Sequence, residues 1–308
     1  IAAFEFKDCI CHVHTGNQWQ SLFLPVVAKS VGLSDDQVII HQYYLGGGFG
    51  RRLAGDYMIP AALTAKAIGK PVKLVFTRED DSRFDCIRSP SVQHFAAYWD
   101  GEDALQGIDH AAAAGWPSLT MAPGFMPDSV DKKTKVDAFS ISGSDHWYSL
   151  NNHRVRAINN PLAQKTFVPG YLRAVGPGWI GWGVESFMDE IAHAQNIDPI
   201  DFRMQLLDAK GKNASKAPEA VGGAKRLAHV LNETKMKSGW GKTLPKNEGL
   251  GVAIAAGQER AMPTWSACVA HVRVDPATGS VKVLKLTNVM DCGTVIHTDG
   301  ALAQTGGA

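Results

Sequence analysis

The sequence predicts a mixed α and β protein (α+β) in two lobes, and three observations predict it. A strand, a glycine-rich loop, a helix and a second strand follow one another between Val38 and Asp80. The stretch "GVESFMDEIAHAQ" has the spacing of an amphipathic helix, and two runs of alternating apolar residues flank a "PATGS" turn toward the end of the chain. Helices interleaved with strands over 308 residues indicate a mixed architecture, with length for one large or two ordinary cores. The first lobe is expected over residues 1–159, with the glycine loop, and the second over 160–308.

Taken in order, "HVHTGNQ" reads as a strand ending in a turn. "WQSLFLPVVAKSVGLSDDQ" then has helical spacing, with Pro25 expected in the first turn, where its missing N–H costs least. "VIIHQYYL" is rich in β-branched and aromatic residues and runs directly into the glycines. After the loop, "DYMIPAALTAKAIGK" predicts a helix ending at Gly69, and "PVKLVFTRED" the next strand. From about Asp100 to Phe167 the periodicity is weak, and connecting structure with short strands is expected. Val184, Phe187, Met188, Ile191 and Ala192 share one helical face, and "DPIDFRMQLL" starts a further helix with an Asp cap and a first-turn Pro. "KNASKAPEAVGGAKR" is polar and reads as an exposed loop, and "CVAHVRVD" and "VKVLKLTNVMD" pair as a hairpin.

Composition narrows the function. With 31 basic and 30 acidic residues and 45% apolar content, nothing favours nucleic acid as a partner. No run of about 18 apolar residues reads as a membrane span, and the opening lacks a signal-peptide pattern. The five cysteines, at 9, 11, 86, 268 and 292, match neither a zinc nor an iron–sulfur spacing, so they read as mostly buried thiols. The start at Ile1 and the end at "ALAQTGGA" read as those of a fragment or a processed chain.

The most informative stretch is "LGGGFGRR". A nucleotide-triphosphate loop needs Lys followed by Ser or Thr, where this chain has Arg51 and Arg52. A dinucleotide fingerprint starting at Gly46 and Gly48 would need its third glycine at Arg51. What remains is the general chemistry of glycine backbone and arginine: close approach, N–H groups for an anion, and a charged fork for phosphate. A bulky anionic ligand fits that chemistry, and a plain strand-to-helix connection is the alternative.

"HTGNQ", "GGGFGRR", "YLRAVGPGWIGWGVESFMDE" and "DCGTVIHTDGALAQ", in this order, resemble the molybdenum-binding large subunit of the xanthine dehydrogenase and aldehyde oxidase family. Within it they are most similar to the branch of isoquinoline oxidoreductase large subunits and acetic-acid-bacterial aldehyde dehydrogenases. The resemblance implies the two-lobed molybdenum cofactor-binding fold of that family. It assigns cofactor contacts to Gln18, Gly47, Gly48, Phe49, Gly50, Arg51, Arg173, Ala174, Gly293 and Gln304. Gln18 would donate to an oxo ligand of molybdenum, Phe49 would shield the site from water, and Arg173 would orient a substrate oxygen. Arg52 is read as a phosphate contact or a surface charge, Glu185 as an acid near a helix N-terminus, and Trp179 and Trp182 as core residues in preference to the lining of an aromatic pocket.

The resemblance further implies molybdopterin, in its cytosine dinucleotide form, which itself holds the metal so that no protein ligand is expected. It implies oxidation of an aldehyde, or alternatively an aromatic N-heterocycle such as isoquinoline, with oxygen from water and a glutamate as base. That glutamate lies in a glycine-rich loop of the family which does not occur between Ile1 and Ala308, so no catalytic residue is named; Glu259 in "GQERAM" lacks the flanking glycines. Gly306 likewise stands where the family has a glutamate. A non-catalytic or incomplete cofactor-binding module is the remaining alternative. The implied partners are the rest of the large subunit, a small subunit with iron–sulfur clusters and, often in this branch, a cytochrome c subunit with haem. The implied setting is the bacterial periplasm or membrane, with the cytoplasm left open.

Overall fold

A computed structural model describes residues 2–7, 10–102, 104–208, 223–259 and 262–307. Cys9 and most of "KNASKAPEAVGGAKR" lie outside the described residues. The chain divides into two compact units that interleave along the sequence. Unit 1 comprises residues 1–92, 113–141 and 157–175, and unit 2 comprises 93–112, 142–156 and 176–308.

Unit 1 opens with β1 (Ala2–Lys7) and β2 (Ile10–Thr15), an antiparallel pair, followed by α1 (Gln20–Val31) and β3 (Val38–Gln42). β3 pairs with β2 in parallel, so β2, α1 and β3 form a crossover unit. α2 (Met58–Ile68) leads through Gly69, which adopts the left-handed cap conformation, to β4 (Val72–Leu74), and the sheet order is β3-β2-β1-β4. β2 alternates strictly: Cys11, Val13 and Thr15 are buried, while His12 and His14 are half-buried on the other face. Val13, Val27, Met58 and Ala61 are fully buried members of the resulting core, to which the small alanines of α2 allow close approach. Burial raises the Cys11 thiol to about 11.

Two expectations need correction in this unit. α1 begins at Gln20, so Pro25 is the sixth helical residue and lies inside the helix. The strand expected over "PVKLVFTRED" is only three residues long, because Thr77 accepts from the Asp80 N–H and, with the Asp80 side chain, caps a helix, α3 (Arg78–Phe84).

The weakly periodic middle of the chain holds more regular structure than expected. β5 (Ser91–Trp99) and β6 (Leu105–Ala114) precede two short helices, α4 (Pro117–Met121) and α5 (Ala138–Ile141), and then β7 (Asn152–Asn159) completes a sheet in the order β5-β6-β7, mainly in unit 2. β6 ends in four alanines, poor strand formers, so its propensity concealed a strand that its partners stabilise. α6 (Pro161–Thr166), in unit 1, is capped by Asn160.

Unit 2 continues with α7 (Pro177–Ala194), α8 (Pro199–Leu206) and α9 (Gly223–Ser238). β8 (Glu248–Glu259), β9 (Met262–Val274) and β10 (Val281–Asp291) form an antiparallel sheet on which α9 packs, and α10 (Thr298–Gly306) ends the described chain. The expected face of α7 is observed: Val184, Met188, Ile191 and Ala192 are buried and Phe187 is half-buried. Asp198 caps α8 through the Ile200 and Asp201 N–H groups, with Pro199 in the first turn, and β9 and β10 form the expected hairpin. Trp182, expected in the core, is 73% exposed on the opposite face of α7.

Candidate functional site

In unit 1, β2 and β3 are parallel and end side by side, with Thr15 opposite Gln42. The "GNQ" turn and the glycine loop therefore leave the sheet from the same edge, the carboxyl ends of parallel strands, where such sheets place ligands. The Asn17 carboxamide and the Gln18 N–H both donate to the Arg52 carbonyl, at 2.8 and 2.9 Å. The Gln42 carboxamide donates to the Asn17 carbonyl at 3.1 Å, and the Tyr57 hydroxyl to the Gly16 carbonyl at 2.9 Å. Arg52, left open in sequence between a phosphate contact and a surface charge, donates to the Gly16 carbonyl and lies 4.7 Å from the centre of the Tyr57 ring. It braces one loop against the other.

The glycines have distinct reasons. A Cβ at Gly48 would stand 2.3 Å from Gln18 Oε1, so the glutamine carboxamide lies directly against this backbone. At Gly47 it would meet the Phe49 ring at 2.7 Å. Gly50, at φ +82°, would meet the Tyr171 carbonyl at 2.3 Å, which seats the glycine loop on the segment leading to Arg173. Gly46 has nothing within 4 Å, so no group among the described residues requires a glycine there. The backbone N–H groups of residues 46–50 donate to no group among the described residues.

On the same side, the Arg173 guanidinium carbon lies 5.7 Å from the centre of the Phe49 ring, which is 56% exposed. Phe49 and Ala174 both have positive φ, +49° and +55°, an unfavourable conformation for residues with a Cβ that tends to collect at ligand sites. Arg51 is committed to protein: its guanidinium donates in parallel to both Asp56 carboxylate oxygens, at 3.0 and 3.1 Å, and its Nε donates to Asp85. Gln18, Gly47, Gly48, Phe49, Gly50, Arg173 and Ala174 are thus gathered in one place, with Arg51 turned to acidic neighbours.

Gly293 and Gln304 belong to unit 2. Gly293, at φ +75°, donates its N–H to Asp291, whose carboxylate is held by Arg226. The Arg226 hydrogen bond keeps the Asp291 carboxyl below the usual range despite partial burial. Gln304 is exposed on α10.

Glu185, read as an acid near a helix N-terminus, lies two turns into α7 and is buried. It accepts from the Tyr148 hydroxyl at 2.8 Å, Arg203 Nε at 3.0 Å and the Ile254 N–H at 2.9 Å. Burial pushes this carboxyl up, against the pull of Arg203, the Ile254 N–H and Tyr148. With both oxygens engaged, it ties α7 to α8 and β8.

Among the described residues no group of three or more His, Cys, Asp or Glu is placed to hold a metal ion. Glu259 ends β8, and its side chain lies outside the described residues. Sequence reasoning missed Asn17, Gln42, Tyr57 and Arg88. Arg88 donates to the Val175 carbonyl at 2.7 Å and to that of Arg173, which are 87 and 85 residues away, so no local pattern could mark it.

Comparison with known proteins shows the family. Two family models, each described as a molybdopterin cofactor-binding domain, match residues 1–207 and 205–308. A membrane-bound aldehyde dehydrogenase [pyrroloquinoline-quinone] of Gluconacetobacter polyoxogenes is 56% identical over 99% of this chain and 40% of its own length. Isoquinoline 1-oxidoreductase subunit beta of Brevundimonas diminuta is 25% identical over 95% of this chain and 35% of its own length. The chain thus spans well under half the length of these curated relatives. Among solved structures, aldehyde oxidoreductase from Desulfovibrio gigas has a TM-score of 0.62 at 18% identity, covering 92% of this chain and 30% of that one. Quinoline 2-oxidoreductase from Pseudomonas putida 86 has a TM-score of 0.58 at 16% identity, covering 92% and 37%. These two likenesses concern the fold.

Proposed function

The chain belongs to the molybdopterin cofactor-binding domain family, and from that premise we propose that it is the cofactor-binding part of a molybdenum enzyme that oxidises an aldehyde to a carboxylic acid. The observation that carries the reading is the convergence of "GNQ", "GGGFG" and "YLRA" in unit 1, with Gly46 open and the N–H groups of residues 46–50 without acceptors among the described residues. The residues fit a pterin that brings its own metal. The donors gathered there are neutral amides and a guanidinium, suited to oxo groups and phosphate, and among the described residues no ligand cluster competes for the metal.

When bound, the cofactor supplies the two-electron oxidation at the substrate carbon. The protein's part is placement and exclusion. Gln18 offers an amide donor without competing as an anionic ligand, and the loop N–H groups cradle oxygen atoms. Phe49 covers the site against water, and Arg173 holds negative charge that develops on the substrate oxygen. Gly293 and Gln304 are kept as cofactor contacts on the family resemblance alone, and the cofactor is proposed in its cytosine dinucleotide form. No catalytic base is named among residues 1–308, because the glycine-rich loop that carries the family's glutamate does not occur there.

Aldehyde is preferred to an N-heterocycle on the 56% identity to an aldehyde dehydrogenase. That relative's name also carries pyrroloquinoline quinone; molybdopterin is preferred here because two family models together span the chain. Electrons would leave to an iron–sulfur subunit and a cytochrome c, at a membrane in keeping with that relative's name. Among the described residues no helix is long and apolar enough to cross a membrane.

The test is metal and cofactor analysis of the purified enzyme containing this chain, together with aldehyde oxidation using an artificial electron acceptor. Molybdenum near one per chain with an extractable pterin, and turnover of acetaldehyde above isoquinoline, is the expected result. A quinone without molybdenum would overturn the cofactor assignment, and turnover of the heterocycle alone would overturn the substrate.

A further inference from the structure

We propose that Arg88 is a positioning residue, which holds the Arg173–Val175 turn in the conformation that presents Arg173 beside Phe49. The inference rests on the reading above for its consequence in turnover, and on the geometry of unit 1 for the contact itself.

The linker between α3 and β5 touches both loops of the candidate site. At its start Asp85 accepts from Arg51 of the glycine loop. Next to it, the Ile87 N–H donates to the Val168 carbonyl at 3.0 Å and the Ile87 carbonyl accepts from the Gly170 N–H at 2.9 Å, a short ladder along the approach to "YLRA". A Cβ on Gly170 would stand 2.3 Å from Cys86 Sγ, so the two segments are in close contact. The half-buried Arg88 then completes the arrangement, with Nη1 donating to the Val175 carbonyl at 2.7 Å and Nη2 to the Arg173 carbonyl.

These two carbonyls flank Ala174, whose φ of +55° is one a residue with a Cβ rarely adopts. Such a conformation persists only where its surroundings over-determine it, and a planar guanidinium with two donors on the carbonyls either side is a means of doing so. Without Arg88 the strained turn is expected to relax, and Arg173, the residue before Ala174, to lose its place at the Phe49 ring. A lysine at 88 would keep the charge but not the two-pronged geometry.

Hydrogen–deuterium exchange tests this on full-length wild-type enzyme, Arg88→Ala and Arg88→Lys, with kcat, KM and molybdenum content measured in parallel. In Arg88→Ala a peptide spanning residues 171–176 is expected to exchange about 10-fold faster, with Arg88→Lys between it and wild type and peptides of β8 and β9 unchanged. With molybdenum retained, kcat is expected to fall about 10-fold or more and KM to change far less. Unchanged exchange of that peptide in Arg88→Ala overturns the inference whatever the metal content. If Arg88→Ala exchanges rapidly throughout, Arg88→Lys decides: selective exposure of 171–176 supports the inference, and wild-type protection overturns it. A wild-type enzyme without molybdenum overturns the cofactor reading alone, since the exchange result reads the Arg88 contact by itself.

Discussion

Arg173 in unit 1 and Arg203 in unit 2 are the same residue in opposite circumstances. Arg203 is fully buried and its guanidinium is engaged by Glu185, Asp189 and two backbone carbonyls. Arg173 is exposed, with its charge over the face of Phe49, beside backbone donors that have no acceptor among the described residues. The first arrangement uses up its polar groups to hold helices together, and the second keeps them available. Satisfied polar groups mark the framework and available ones mark the place for a ligand.

The largest effect that would break this contrast concerns the buried pair. Arg203→Ala leaves Glu185 and Tyr148 facing an empty buried site and is expected to destabilise unit 2 by about 3–5 kcal/mol in denaturant unfolding. A cost below about 1 kcal/mol would show that the network is not framework at all.

Acid provides a second test. Burial lowers His110 to about 4, with His153 adding to the shift, and burial likewise lowers His153 to about 4. At pH above 6.5 these rings are neutral whether folded or unfolded. Between 6.5 and about 4 the unfolded chain takes up the protons first, so stability falls with falling pH, by roughly 3 kcal/mol for the fully buried His110. Unfolding midpoints at pH 7.5 and 4.5 measure the slope, and His110→Phe, stacking on Phe95 in place of the imidazole, is expected to reduce it. An unchanged slope in that variant would sink the assignment.

The smallest change in stability is the most telling about the ligand. Gly50→Ala combines positive φ with contact on the Tyr171 carbonyl and is expected to cost about 1–3 kcal/mol. Gly46→Ala meets open space and is expected to stay within about 0.5 kcal/mol of wild type while losing molybdenum. Thermal unfolding and metal analysis of both variants separate a glycine needed by the protein from one needed by its ligand. Full molybdenum retention in Gly46→Ala would remove the reason for reading that position as ligand-facing.

Much of this was legible in the chain. The α7 face, the Asp198 cap, Gly69 and the final hairpin are set by residues a few positions apart, and each was readable there. β6 was not, because four alanines carry no strand signal, and Pro25 was misplaced because α1 starts at Gln20, where no side-chain cap announces it. The site divides in the same way. "GNQ", "GGGFG" and "YLRA" were recognisable as words, but their meeting depends on Gly48 against Gln18 and Gly50 against Tyr171.

Residue identities therefore specified which groups this protein offers: amides, glycine backbone, an aromatic ring and arginines, in an order shared with one family. Folding assigned their tasks. Arg51 and Arg52 stand side by side in the chain, yet one pairs with Asp56 and Asp85 and the other grips Gly16, while the distant Arg173 stays available. Helix faces and turns are decided between near neighbours by periodicity and φ preference. Whether a guanidinium is spent or available depends on which carboxylates and carbonyls reach it from tens of residues away, and only packing brings those partners together.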